Sequence, residues 1–497
     1  MRIGGLRLGA AVLGAVLSAF TLAAEPDASV PPLTLGECIR RALAHGFDME
    51  LQLHDLELAK DDIPIARSQF HPVLSADAGK ASSRFPDTLD DVRSASDRLD
   101  TTVGVAQRFW PGTIVGLSSD LGRQSSTPSL SLFNPSYSSG LTLSLSQPLS
   151  RGFGSINTVP IRRAEIGLDI AERSYADRAL DVIQATEGAF YLLSGARDQV
   201  DVFTISLQLA QTLLKEAEGR HRAGMATKLD LLQAQVGIAN ARLNLLQAEK
   251  TVKSSEDNLL ALIGQFELDA PLGTTVIDET ASEAALSVDE SYALALEAQP
   301  AYRNARAALE LTKLQLLLAK DDLKPSVDLG FSLDLGGEDR SRRRAFEDAF
   351  DSERSAWQLG LSVTYPLGRV GEKARYRQSR TVLSRSELAL HQLEQQILVN
   401  VREAVRDVET AQESVKIAAL AANLADEQRD AENRRFRAGL STSRRVLESQ
   451  TDLEAARVAE LQARLDLRVA LSALYRIEGS SLRRYGITLS ADRRVTP

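Results

Sequence analysis

Along residues 139 to 147 apolar and polar side chains alternate without a slip: Leu141, Leu143 and Leu145 leave one side of an extended chain, and Thr142, Ser144 and Ser146 the other. Such a strand needs an apolar medium on one face and water on the other. A half-buried soluble sheet supplies that, and so does a transmembrane barrel with a wet lumen. Further strands are predicted near 73–82, 101–109, 113–122, 326–335 and 356–365. WPGT, residues 110 to 113, reads as a tight turn between two of them. The polar segments 85–100, 124–138 and 336–355, rich in Ser or in Arg, Asp and Glu, read as exposed loops.

The rest of the pattern is helical. After Pro160, apolar or small residues from Tyr175, Ala179, Val182 and Thr186 through Ala210 and Leu214 keep a four-three spacing, the mark of a sustained heptad seam. Ile397, Val401, Ala404, Val408 and their successors to Ala425 repeat it, and Leu229, Leu232, Val236, Ala239, Leu243 and Leu246 carry it on a helix returning after Gly224. At ~1.5 Å per residue, a helix from 160 to 219 spans roughly 90 Å, whereas 226–264 and 37–70 span about 58 and 51 Å. The two shorter helices end to end match the long one. The expected shape is a long body with strands at one end, glycine turns at 224 and 439 at the other, and helices between.

The chain repeats itself. A shift of 253 places Glu37, Ala42, Leu43, Leu56, Glu57, Leu58, Lys60, Ala66 and Pro72 on identical residues from Glu290 to Pro325. A shift of 215 places RAGMATKLDLLQAQ (222–235) on RAGLSTSRRVLESQ (437–450) and Gly264 on Gly479. Each half therefore reads as helix, strands, long helix, turn, helix, with one extra hairpin near 101–122 in the first half. The expected boundaries are 1–24, 25–265, a linker 266–285, a second repeat 286–480, and a tail 481–497.

The ends and the composition decide the compartment. Arg2 and Arg7 precede an apolar run closing on Ala23 and Ala24, the form of a cleaved secretory signal. No other apolar run approaches the ~20 residues of a membrane-crossing helix, so any spanning falls to strands. A net charge of -9 argues against nucleic acid, and the single cysteine, Cys38, excludes a disulfide framework. Four to six strands cannot enclose a lumen, and lipid does not tolerate open sheet edges. Three copies closing one barrel would supply twelve strands, or eighteen with the extra hairpin. The competing class is a soluble periplasmic coiled-coil scaffold.

LTLGECIRRALAHG (33–46), ARSQFHPVL (66–74), SQPLSRGFG (146–154), the RAGM and RAGL turns with LDLLQA and RRVLES behind them, and LLALIG (259–264) together resemble the TolC-like outer membrane efflux proteins over nearly all the mature length. The resemblance implies a mainly α fold with a two-fold internal repeat, an α-helical coiled-coil barrel, and a membrane β-barrel completed by trimerisation. It implies a homotrimer in the outer membrane of a Gram-negative bacterium, in contact with outer membrane lipids, its helical part in the periplasm. Such a trimer is the exit duct for an inner-membrane transporter, of RND or ABC type, joined through a periplasmic adaptor.

Carried over by residue, the adaptor-docking turns are Ala223, Gly224 and Met225, and Ala438, Gly439 and Leu440. The gate positions are Asp230, Phe436, Ser441, Arg445 and Glu448. Here the chain departs from the family: Phe436 stands for a tyrosine, Ser441 for an arginine, Arg445 for an acidic residue and Glu448 for an aspartate. Asp230 and Arg445 are equivalent under the repeat and are expected to pair as a weak latch. Histidines 45, 54, 71, 221 and 391 lack metal-ligand spacing, and no phosphate loop, nucleophile elbow or catalytic triad spacing is found. Neither an enzyme nor a cofactor is expected.

Overall fold

The computed structural model describes residues 33–86, 93–127, 133–264, 273, 275–276, 287–350, 354–489 and 495–496. The expected signal segment and most of the expected linker lie outside them. In the first half, β1 (Leu33–Thr34), α1 (Leu35–His45) and α2 (Phe47–Ser68) lead into β2 (Val73–Pro86), β3 (Arg93–Arg108), β4 (Ile114–Thr127) and β5 (Ser136–Pro148). A 3-10 turn at Gly154–Thr158 then opens α3 (Val159–Arg222), and α4 (Lys228–Leu262) returns. After β6 (Thr275–Val276), the second half follows as α5 (Val288–Ala298), α6 (Pro300–Asp321), β7 (Ser326–Asp339), α7 (Arg342–Phe350), β8 (Ser355–Thr364), α8 (Val370–Arg437) and α9 (Ser443–Glu478). The chain closes with α10 (Ser481–Arg484), β9 (Thr488–Leu489) and β10 (Val495–Thr496).

The helices form one open layer. Near the glycine turns its order is α4, α3, α9, α8, and nearer the sheet it is α2, α3, α6, α8. The short helices do meet end to end. A Cβ on Gly264, just past α4, would lie 2.4 Å from the His45 carbonyl oxygen, and one on Gly479, just past α9, 3.1 Å from that of Ala298. Both joins need glycine because a backbone end butts against a backbone end, and Gly264 and Gly479 also sit at positive φ. Gly46, facing the end of α4, breaks the expected 37–70 helix into α1 and α2.

The heptad seam on α8 is buried at Ile397, Val401, Ala404, Val408 and Ala411. That on α3 is buried at Ala179, Val182, Thr186, Leu193, Ala196 and Ala210, with a second stripe at Ile183, Phe190 and Leu213, because α3 is flanked on two sides. The α4 seam differs. Ala234, Ala241 and Ala248 face α3, and the leucine stripe from Leu229 to Leu246 points out of the chain. The expected tail is part of the core. Ile487 packs with Ile39, Ile183 and Phe190, and Tyr485 and Ser472 both donate to the buried carboxylate of Glu187.

The six long strands make one antiparallel sheet in the order β2-β3-β4-β5-β7-β8. They overrun the polar segments expected to be loops: β2 and β3 together take in much of 85–100, and β7 reaches Asp339. The rest of the third expected loop holds α7, whose backbone lies over Gly337, where a Cβ would meet the Ala345 oxygen at 2.0 Å. Alternation fades there because strand ends that outrun an apolar layer are wet on both faces, so polarity alone does not distinguish them from loop.

Candidate functional site

Cross-strand partners share a face, so the register can be followed through the sheet. Leu74, Val105, Leu117, Leu143, Leu333 and Trp357 form one unbroken apolar row, and Val115, Leu145, Phe331 and Leu359 continue the next. The opposite face carries Ser75, Gly104, Ser118, Thr142 and Asp334 in one row and Asp77, Thr102, Asp120 and Gly140 in another. Thr142 Oγ1 donates to Asp334 Oδ1 at 2.7 Å on that polar face. The apolar positions also drift along the strands, reaching Leu99 on β3 but running down to Val363 on β8. A level apolar band crossing tilted strands drifts in this way. Among the described residues no helix is long and apolar enough to cross a membrane.

At the other end, two turns are built alike. Gly224 N–H donates to His221 O (3.0 Å) and Met225 N–H to Arg220 O (2.8 Å); Gly439 N–H donates to Phe436 O (3.0 Å) and Leu440 N–H to Arg435 O (2.9 Å). This is the paired bond pattern that ends a helix on a left-handed glycine, and Gly224 and Gly439 have φ of 73° and 78°. The residue after such a glycine usually packs back on its own helix. Here Met225 and Leu440 stay 75% and 71% exposed, two apolar knobs at the extreme of the molecule. Ala223 and Ala438 are the helix caps before them.

The expected gate residues do not form one cluster. Phe436 is buried against Leu213 and Val446, with the Arg220 guanidinium over its ring, so it is a core residue of the tip rather than a pore-lining one. Asp230 is the third residue of α4 and is consumed by a capping box. Thr227 N–H and Oγ1 both donate to Asp230 Oδ2, at 3.0 and 2.7 Å, and Asp230 N–H donates to Thr227 Oγ1. Among the described residues no ion pair joins Asp230 to Arg445 within the chain, so the expected latch is not formed there. Ser441 donates to Glu432, Glu448 pairs with Arg444 at 2.9 Å, and Arg445 is exposed. Sequence reasoning passed over Arg220 and Thr227. The Thr-x-x-Asp spacing of 227 to 230 was the available signal for the second.

The outer membrane efflux protein family profile matches residues 108–265 and 291–480. The pyoverdine export outer membrane protein OpmQ of Pseudomonas aeruginosa is 26% identical over 332 residues, which are 64% of this chain and 65% of that protein. CyaE of Bordetella pertussis is 23% identical over 91% of this chain and 85% of its own length. Among solved structures, VceC of Vibrio cholerae superposes with a TM-score of 0.66 at 17% identity, covering 90% of this chain and 96% of its own. The CmeC outer membrane channel of Campylobacter jejuni gives 0.67 at 14%, covering 95% and 94%.

Proposed function

Because the chain belongs to the outer membrane efflux protein family, we propose that three copies close into one duct, the exit component for an inner-membrane transporter joined through a periplasmic adaptor. The observation that carries this reading is the pair of unfinished edges. The sheet ends on β2 and β8 with unpaired ladders. The helical layer below ends on α4 and α2 at one side and on α8 at the other, each presenting exposed apolar residues: Leu232, Leu243 and Leu246 on α4; Leu51, Leu58 and Ile65 on α2; Leu420 and Leu424 on α8. A lone chain leaves both layers open to water and lipid, and copies of itself cover both at once.

In this assembly the leucine face of the sheet meets lipid and the serine, threonine and aspartate face lines a wet lumen. Those lumen residues are small and hydrophilic; the carboxylates of Asp77, Asp120 and Asp334 favour cations over anions but recognise no particular cargo. We therefore assign the choice of cargo to the transporter. Ala223, Gly224, Met225, Ala438, Gly439 and Leu440 form the adaptor-docking surface, with Met225 and Leu440 the apolar anchors. Ser441, Arg445 and Glu448, beside the second turn, set a charge-mixed mouth, and Asp230 acts there by capping α4.

The test is extraction of the full-length protein from the membranes of a Gram-negative host. A detergent-dependent particle with the mass of three mature chains is expected. A soluble monomer or dimer in the periplasmic fraction would instead favour the coiled-coil scaffold.

A further inference from the structure

The internal repeat gives each half two wall strands, β2 and β5 in the first, β7 and β8 in the second. The first half carries an additional hairpin, β3–β4, between its pair. We propose that β3 and β4 are full wall strands, so that the barrel closes from eighteen strands, six from each of three copies. The proposal rests on the trimeric reading and adds to it the make-up and width of the pore.

Register is the first argument. β3 pairs with β2 from Arg93, opposite Pro86, to Ala106, opposite Val73; it pairs with β4 from Ala95 to Arg108, and β4 pairs with β5 from Ile114 to Gln124, with no break in any of the three ladders. The hairpin keeps both faces of the wall: Val103, Val105 and Leu117 extend the leucine face of β5, and Thr102, Gly104, Ser118 and Asp120 extend its polar face. A hairpin folded into the lumen as a plug, or outside the wall as a lobe, would have no reason to present this alternation in phase with its neighbours.

The turn between β3 and β4 is the second. Gly112 has a φ of 95°, and a Cβ there would lie 2.6 Å from the Gly152 oxygen and 2.8 Å from Pro148 Cγ, while Gly154 N–H donates to Pro111 O at 3.1 Å. Gln107 Nε2 also donates to Phe70 O at 3.2 Å. The turn is thus seated in the junction where β5 becomes α3, at the level where every wall strand of the chain begins or ends.

Width is the third. Six strands ~4.8 Å apart, tilted by ~40°, occupy an arc of roughly 38 Å. Four helices at ~8–10 Å occupy roughly 32–40 Å. Six strands therefore sit on four helices without a step, and four strands would cover only about 25 Å. Since diameter grows about linearly with strand number, the lumen is about half as wide again as with four strands per chain. With six strands the edge strands β2 and β8 run in opposite senses, so each closes antiparallel on the other edge of a second copy.

The experiment is cryo-electron microscopy of the full-length protein in nanodiscs, followed by labelling of single-cysteine variants in a Cys38→Ser background. Three copies with eighteen strands are expected, with V103C and L117C silent to a membrane-impermeant maleimide and S118C reactive. A trimer with a twelve-stranded wall, or maleimide reaction on both faces of β3 and β4, would overturn the proposal and leave the duct intact. A particle without three copies would overturn the duct reading itself.

Discussion

The guanidinium of Arg220, two residues before the end of α3, lies 3.9 Å above the ring centroid of Phe436, one residue before the end of α8, and also donates to the Phe436 carbonyl. With the Arg437–Glu216 pair at 3.2 Å, it ties the two glycine turns into one tip. The ring fills a small core with Leu213 and Val446. Truncating a buried phenylalanine typically costs ~3–5 kcal/mol locally, and the cation–π contact adds about 0.5–2. Phe436→Ala should therefore loosen the tip while the distant sheet stays folded. Raised single-channel conductance in a planar bilayer and faster proteolysis near residue 437 are expected; unchanged values of both would show that the tie does not hold the tip together.

Gly224 and Gly439 have open space around a built Cβ, so their cost on substitution is purely backbone strain. An L-residue in that left-handed conformation is disfavoured by roughly 1–2 kcal/mol. Gly224→Ala should distort the turn and displace Met225 with little effect on global stability. Met225→Asp and Leu440→Asp should leave the turn geometry intact and remove the apolar knobs. Photo-crosslinking from the neighbouring Ala226 and Ser441 to the adaptor should fall sharply in both charged variants, and the native mass should not change. Retained crosslinking in the charged variants would place docking elsewhere.

How much of this was legible beforehand depended on whether local spacing carried the information. The repeat did: Gly264 and Gly479, aligned by a shift of 215, perform the same butt joint against His45 and Ala298, themselves aligned by 253. The leucine–serine alternation of β5 likewise survives as the apolar and polar faces of the sheet. Strand ends were lost, because Ser and Arg outside an apolar layer read the same in strand and loop. Phe436 and Asp230 were misplaced for two different reasons. A spacing rule puts Phe436 on a helix near a turn, but whether it faces pore or core depends on a neighbour far along the chain, Leu213, whereas the cap that takes up Asp230 is local and was readable as Thr-x-x-Asp.

Glu187 is a buried acid held by Ser472 and Tyr485, and burial pushes its carboxyl above the ordinary glutamate range against the opposing pull of those two hydrogen bonds and of Arg484. An acid with a raised folded pKa carries no penalty while it is protonated in both states. The penalty enters as pH rises above the unfolded value of about 4.3 and is complete above the folded one. Glu187→Gln should therefore raise thermal stability more at pH 8 than at pH 5, flattening the pH profile. Equal shifts at both values would mean that the side chain stays ionised throughout.

The last prediction concerns the seam that would close the helical layer. At ~1.5 Å per residue from the helix ends at Lys228 and Arg437, Leu243 on α4 and Leu424 on α8 stand within about 3 Å of the same height, and Leu246 and Leu420 within about 2 Å. All four are exposed in a single chain, on helices at opposite edges of the layer. Burying one leucine contributes ~1.5–3 kcal/mol, and a closed trimer, with its three seams, repeats it three times over. Leu243→Asp should therefore lower the trimer fraction in detergent by an order of magnitude or more, and Leu243→Ala by less. Paired cysteines at 243 and 424 should give covalent trimers on oxidation, whereas either cysteine alone should not, since Cys38 is fully buried with its thiol pushed up to about 11. Covalent trimers from the single variants, or none from the pair with the native mass preserved, would mean that α4 and α8 do not face each other across the seam. The apolar edges would then need a different partner helix.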